Sequence, residues 1–151
     1  MKNTYEQRLA KHQVELARLY SEVYALNPFY EVHSSFHSLL KLMDHYHKHR
    51  KESYKKADAH DANWFFQHDI IGTTLYVDLF SENLKNMLHY IPYFKELGIS
   101  FIHFMPLLEG REGENDGGYA VKDYKRIDPK FGSNEDFYRL CEALKENHIH
   151  V

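Results

Sequence analysis

A chain of 151 residues, 43% of them hydrophobic, can bury one compact core or two small ones and nothing larger. Its 19 Lys and Arg against 22 Asp and Glu leave a net charge of −3, without the basic excess of a nucleic-acid binder. No run approaches the ~18 apolar residues of a membrane span, Met1 to Leu9 is too polar for a secretory signal, and a single cysteine, Cys141, excludes an internal disulfide or a thiolate zinc cluster; the expected setting is cytoplasmic, with no nucleic-acid or membrane partner.

In chain order, Tyr5, Leu9, His12, Leu16, Leu19, Val23 and Leu26 recur at spacings of three and four, which predicts one stripe of an α-helix. Asn27-Pro28 ends it, because the residue before proline is driven out of the helical region. A second amphipathic pattern, Val32, Phe36, Leu39, Leu40, Met43 and His47, predicts a partner helix, and the basic stretch Lys48 to Lys56 reads as a solvated helix end or linker. His33 and His37 could share a helix face, and His45, His47 and His49 point around the helix. Without a convergent carboxylate or thiol, neither set is read as a metal site.

All seven glycines lie at or beyond Gly72, so the punctuation changes there, and a helical segment over residues 1–69 is expected to give way to a different architecture over 70–151. Ile70 to Phe80 suits a strand, and Ser81 is a plausible cap for a helical stretch with Leu84, Leu88 and Ile91 inward. Pro92 opens a fresh helical turn that Gly98 closes. Ile99 to Leu108 is nearly continuous apolar, as in a strand covered on both faces and therefore parallel, with His103 read as a satisfied core histidine. From Glu109 to Gly132 a long glycine-bearing loop follows, at the strand's carboxyl end where α/β folds bind ligands. Ser133 and Asp136 form a capping pattern before a helix with Phe137, Leu140, Cys141 and Leu144 inward, and Ile149 to Val151 resembles the start of another strand.

Within the loop, Asp116 can accept hydrogen bonds from two hydroxyls, Gly117 and Gly118 let backbone approach a ligand, and Tyr119 offers a flat face to the apolar side of a pyranose. The same residues also fit a plain glycine-rich turn with an Asx-type hydrogen bond and a packed tyrosine. Glu109, Glu112 and Glu114 lie near Asp116, but one flexible loop cannot fix the separation of an acid/base pair, so none is assigned a catalytic role.

The run Asn115-Asp116-Gly117-Gly118-Tyr119-Ala120-Val121-Lys122-Asp123-Tyr124, followed by Ile127-Asp128-Pro129 and Phe131-Gly132, resembles the α-amylase family of glycoside hydrolases, most closely its amylosucrase branch. The resemblance starts near Asn63-Trp64-Phe65 and passes through Tyr76 to Phe80, Ile91 to Ile99 and His103 to Leu108. It implies the first βα units of a (β/α)8 barrel behind a helical segment, and a sucrose-dependent α-1,4-glucan glucosyltransfer with retention. Sucrose or an α-glucan would be the substrate, and no cofactor or metal is called for. Asp116 would border the pocket for the transferred glucosyl ring and pair with an arginine supplied later in the barrel, and Tyr119 would stack under that ring. Asp123, Tyr124 and Asp128-Pro129 are read as loop architecture.

The family's catalytic carboxylates follow the fourth, fifth and seventh strands. A full barrel needs about 200–250 residues. The 151 residues are therefore expected to be the N-terminal piece of a longer enzyme, inactive alone. An α-amylase-type hydrolase or sucrose phosphorylase, and a noncatalytic module whose helical front binds a partner, are the alternatives.

Overall fold

The computed structural model describes residues 4–29, 31–60 and 64–151, with the side chains of Asp58 and His60 excepted; Asn63, where the family resemblance begins, lies outside them. The described residues form two compact units, one ending at Trp64 and one beginning at Phe65.

The first unit is helical: α1 (Tyr5–Tyr24), α2 (Val32–His49) and α3 (Glu52–His60). Thr4 and Gln7 close a reciprocal capping box that satisfies two of the amides a helix start leaves unpaired. Tyr5 stacks on His47 with ring centroids 4.1 Å apart, and Tyr20 meets Phe36 at 5.4 Å, so α1 and α2 run antiparallel. All six apolar-stripe positions expected of α2 are half-buried. On α1, by contrast, only Tyr5, Leu9 and Leu16 of the expected stripe turn inward. His12, Leu19, Val23 and Leu26 are exposed, and Tyr20 and Tyr24 take the inward positions, because a straight helix drifts relative to a repeat of alternating threes and fours. The stretch read as a solvated helix end or linker takes in the exposed end of α2 at Lys48 and His49 and the break at Arg50 and Lys51, after which Glu52 starts α3 and pairs with Lys55 at 2.7 Å. His45 and His49 bring their rings to 4.2 Å, as an i,i+4 pair on one face does, while His47 serves the Tyr5 stack.

The second unit begins with strand β1 (Gly72–Leu75), which pairs in parallel with β2 (Phe101–Phe104), Thr73 opposite Ile102 and Leu75 opposite Phe104. Between them lie three short helices, α4 (Val77–Ser81), α5 (Leu84–Met87) and α6 (Ile91–Glu96). The strand expected over Ile70 to Phe80 is thus cut at Leu75. Beyond Tyr76 the buried positions Val77 and Ser81 stand four apart, a helical spacing, and β-forming residue types do not override it. Ser81 caps nothing; its hydroxyl donates to the carbonyls of Val77 and Asn83, and Asn83 caps α5 by accepting from the Asn86 amide at 2.9 Å. Pro92 sits in the first turn of α6, and Gly98, at φ +71°, ends it as expected.

After β2 the chain turns at Met105-Pro106 and enters β3 (Leu108–Gly110), which pairs antiparallel with β4 (Val121–Ile127) through two register shifts. The segment expected to be a long loop is therefore a bulged hairpin with a ten-residue tip. Helix α7 (Asn134–Glu146) follows behind the expected capping box: Ser133 Oγ accepts from the Asp136 amide at 3.1 Å, and Asp136 accepts from the Ser133 amide at 2.9 Å. His150 then bridges Phe101 in parallel, which places the next strand position beside β2.

The core lies on one face of the β1–β2 pair, where Val77, Leu84, Met87, Phe94, Ile102, Leu140 and Leu144 are almost wholly buried. Asn134 ties α7 to β4, accepting from the Ile127 amide and donating to the Lys125 carbonyl, both at 2.8 Å. The opposite face of the pair carries Thr74 and His103, which lie opposite each other in the parallel register. Side chains alternate across a strand, so with Ile102 on the buried side His103 stands on the face opposite this core. No helix among the described residues is long and apolar enough to cross a membrane.

Candidate functional site

The residues singled out for sugar chemistry sit on one turn at the tip of the β3–β4 hairpin. Asn115 starts a short 3-10 turn over Asp116–Gly118, its side-chain oxygen accepting from the Gly118 amide at 3.2 Å and its carbonyl from the amides of Gly118 and Ala120 at 3.0 Å. Asp116, Gly117 and Gly118 all take positive φ, at +51°, +66° and +95°. Two of the three are glycine, which adopts that region freely, and Asp tolerates it better than most residues. The backbone thus curls tightly enough to bring Asp116 and Tyr119 onto one exposed turn.

That turn is seated on the carboxyl end of β2. A β-carbon on Gly118 would lie 2.9 Å from Pro106 Cβ, so the glycine is pressed against the proline ring. Tyr119 is 60% exposed, and its hydroxyl donates to the Met105 sulfur at 3.9 Å. The Arg111 amide donates to the Ala120 carbonyl at 2.8 Å and its guanidinium to the Glu114 carbonyl at 3.0 Å, which closes the tip. Asn115, Met105 and Pro106 carry no signal of their own chemistry at the sequence level, although an Asn before Asp-Gly-Gly is a turn-capping pattern.

The neighbouring carboxylates are occupied otherwise. Glu109, half-buried, takes Lys122 on one oxygen at 2.9 Å and Arg126 on the other at 3.3 Å, and Glu112 approaches Lys122 at 3.9 Å. The hydrogen bond from Lys122 to Glu109 and the charge of that carboxylate hold the lysine above its usual pKa. Asp123 and Asp128 each accept from a backbone amide two residues on, at 2.8 and 3.0 Å, as Asx turns do. Tyr124 stands exposed on β4. Among the described residues, no three His, Cys, Asp or Glu side chains gather in a way that could hold a metal ion. Cys141 is half-buried on α7, and burial, with the charge of Glu142, pushes its thiol up to about 11.

A sequence model of the alpha-amylase catalytic domain matches residues 52–151, two thirds of the chain. The protein belongs to the alpha-amylase family. In this family's terms, the parallel β1–β2 pair, the helices between them and the bridge at His150 are the first βα units of a (β/α)8 barrel, preceded by a helical segment. The chain is similar to the maltogenic alpha-amylase of Bacillus acidopullulyticus, 34% identical over 49% of this chain and 12% of that protein. It is also similar to an oligo-1,6-glucosidase of Heyndrickxia coagulans, 37% identical over 46% of this chain and 12% of that protein. The solved trehalose-6-phosphate hydrolase of Bacillus licheniformis aligns over 55% of this chain and 16% of its own, at 22% identity and a TM-score of 0.48. The chain thus spans about an eighth of the length of these two curated relatives.

Proposed function

We propose that the Asp116–Tyr119 turn is part of the subsite that holds a glucosyl ring in a retaining, α-glucoside-processing enzyme, with sucrose as donor and an α-1,4-glucan as acceptor. One observation carries this reading: an exposed carboxylate and an exposed tyrosine ring share a single turn braced on the carboxyl end of a barrel strand, the end where such barrels bind their substrates. The carboxylate would accept from sugar hydroxyls and the ring would cover the apolar face of the pyranose. The choice of sucrose is supported by the resemblance of the Asp-Gly-Gly-Tyr loop, with its helical segment upstream, to amylosucrases. An arginine outside these residues would pair with Asp116.

Retention requires a carboxylate nucleophile and a carboxylic acid about 5–5.5 Å apart. The carboxylates around the turn do not fit that role: Glu109 is spent on two cations, and Glu112 and Glu114 are solvated. In this reading the 151 residues hold a sugar without cleaving it.

A second reading, hydrolysis of α-glucosidic links, is favoured by the relatives named maltogenic alpha-amylase and oligo-1,6-glucosidase. Titrating the isotope-labelled chain with sucrose, maltose and isomaltose separates the two. The expected result is a shift of the amide signals of residues 115–120, largest for sucrose, that Asp116→Ala and Tyr119→Ala each abolish, with no fructose released. Shifts by maltose or isomaltose alone would favour hydrolysis, and an unmoved turn would end both readings.

A further inference from the structure

The geometry points to Met105 as a positioning residue for Tyr119, one that fixes the direction in which the ring projects beneath the glucosyl group. The inference deepens the glucosyl-site reading and rests on it.

The backbone of Tyr119 is settled by the turn: its φ and ψ are −75° and −21°, and its amide donates to the Asp116 carbonyl at 3.3 Å. Two side-chain torsions remain, and a tyrosine exposed to 60% would ordinarily visit several rotamers. The phenol hydroxyl, however, donates to the Met105 sulfur at 3.9 Å. Met105 is half-buried and belongs to the strand end, its amide donating to the Leu75 carbonyl at 2.9 Å, so the residue that carries the sulfur is fixed through its backbone to the β1–β2 pair and not to the hairpin tip. The adjacent residue, Pro106, takes the backbone of Gly118 at van der Waals range. Two consecutive residues at the end of one strand therefore hold the turn at two points, the proline its backbone and the methionine its ring.

A thioether suits this task. It is long and adaptable enough to reach the hydroxyl, and as a weak acceptor it occupies the ring's edge and leaves the face free. A ring held before the ligand arrives loses little rotamer freedom on binding, which is what a stacking platform needs. Leucine would fill nearly the same volume without an acceptor. Glutamine has similar reach and supplies a carbonyl oxygen.

The test is a set of NMR titrations of the 151-residue chain with methyl α-D-glucopyranoside, for the unaltered protein, Met105→Leu, Met105→Gln, Tyr119→Phe and the Met105→Leu/Tyr119→Phe double variant. Met105→Leu should weaken binding about three- to ten-fold, the range of one modest hydrogen bond, and Met105→Gln should recover most of that. In the Tyr119→Phe background Met105→Leu should change nothing further. Equal affinity of Met105→Leu and the unaltered chain would overturn the inference, and so would a loss that persists undiminished without the Tyr119 hydroxyl, since methionine would then act by packing alone. A nuclear Overhauser contact between the Met105 methyl and the Tyr119 ring provides a second readout that needs no variant and no ligand. Its presence supports the tether and its absence refutes it. If the unaltered chain does not bind the glucoside, the glucosyl-site reading falls and this contact alone decides whether Met105 holds the ring.

Discussion

Gly118 and Pro106 are packed so closely that a methyl group on the glycine would collide with the proline ring, at 2.9 Å between β-carbons. The glycine also holds φ +95°, which an L-residue adopts only under strain. Gly117, one residue earlier, has φ +66° and nothing within 4 Å of its would-be side chain. Alanine at 117 should cost about 1 kcal/mol for the left-handed backbone alone, and alanine at 118 about 1–3 kcal/mol more because the turn must lift off Pro106. Urea denaturation of both variants checks this. Equal stabilities would mean that the turn is not seated on the strand end.

What could be read from the sequence was whatever a local pattern enforces. The Ser133-Asp136 box and the α2 stripe are such patterns, and both are formed. The β3–β4 hairpin escaped because β4 is apolar only at its ends, Val121 and Ile127, while Lys122 to Arg126 between them is polar, with Lys122 and Arg126 paired to Glu109, so the alternation that marks a strand is missing. The apolar neighbours of His103 do not say which face it takes; the alternation across β2 puts it opposite Ile102 and the core. At the turn, the residue types and the glycines were legible. The supports at Met105 and Pro106 were not, because they arise from a contact across more than ten residues that no local pattern encodes.

The capping box at α7 gives a pH signature. The Asp136 carboxyl is held below its ordinary value of 3.8, first by the hydrogen bonds from Ser133 and then by the charges of Lys85 and Arg139. A carboxyl whose pKa is lower folded than unfolded stabilises the fold above the unfolded value, and that contribution disappears as pH falls through the folded one. The difference in urea midpoint between the unaltered chain and Asp136→Asn should therefore be constant from pH 6 to about 4.5 and shrink below pH 4. Ser133→Ala, which removes the cap acceptor, should cost about 1 kcal/mol near neutral pH. A gap between the unaltered chain and Asp136→Asn that widens on acidification would contradict the assignment.

Cys141 should behave as a protected thiol. With its pKa raised to about 11 by burial, the reactive thiolate is scarce at pH 7.5, and alkylation of the folded chain should run about two orders of magnitude slower than in urea. The rate should climb steadily between pH 8 and 10. Rapid labelling at neutral pH would show that α7 is not packed against the core as described.

Asn115 decides whether Asp116 and Tyr119 share a turn at all. Its side-chain oxygen and its carbonyl both accept from the Gly118 amide, at 3.2 and 3.0 Å, and the carbonyl also receives the Ala120 amide. Its side chain packs beside Gly110, where a β-carbon would come within 3.5 Å of the asparagine amide nitrogen, so the cap is also wedged against β3. Asn115→Ala leaves the carbonyl bonds in place but removes both the side-chain acceptor and the wedge, at a cost of about 1 kcal/mol. Asn115→Asp keeps the acceptor and should be milder. The sharper consequence is dynamic: the amides of Gly117 to Ala120 should lose protection from hydrogen exchange in the alanine variant, while those of α7 keep theirs. If exchange at the turn were unchanged, the positive-φ run from Asp116 to Gly118 would be held by its seat on Pro106 and not by its cap.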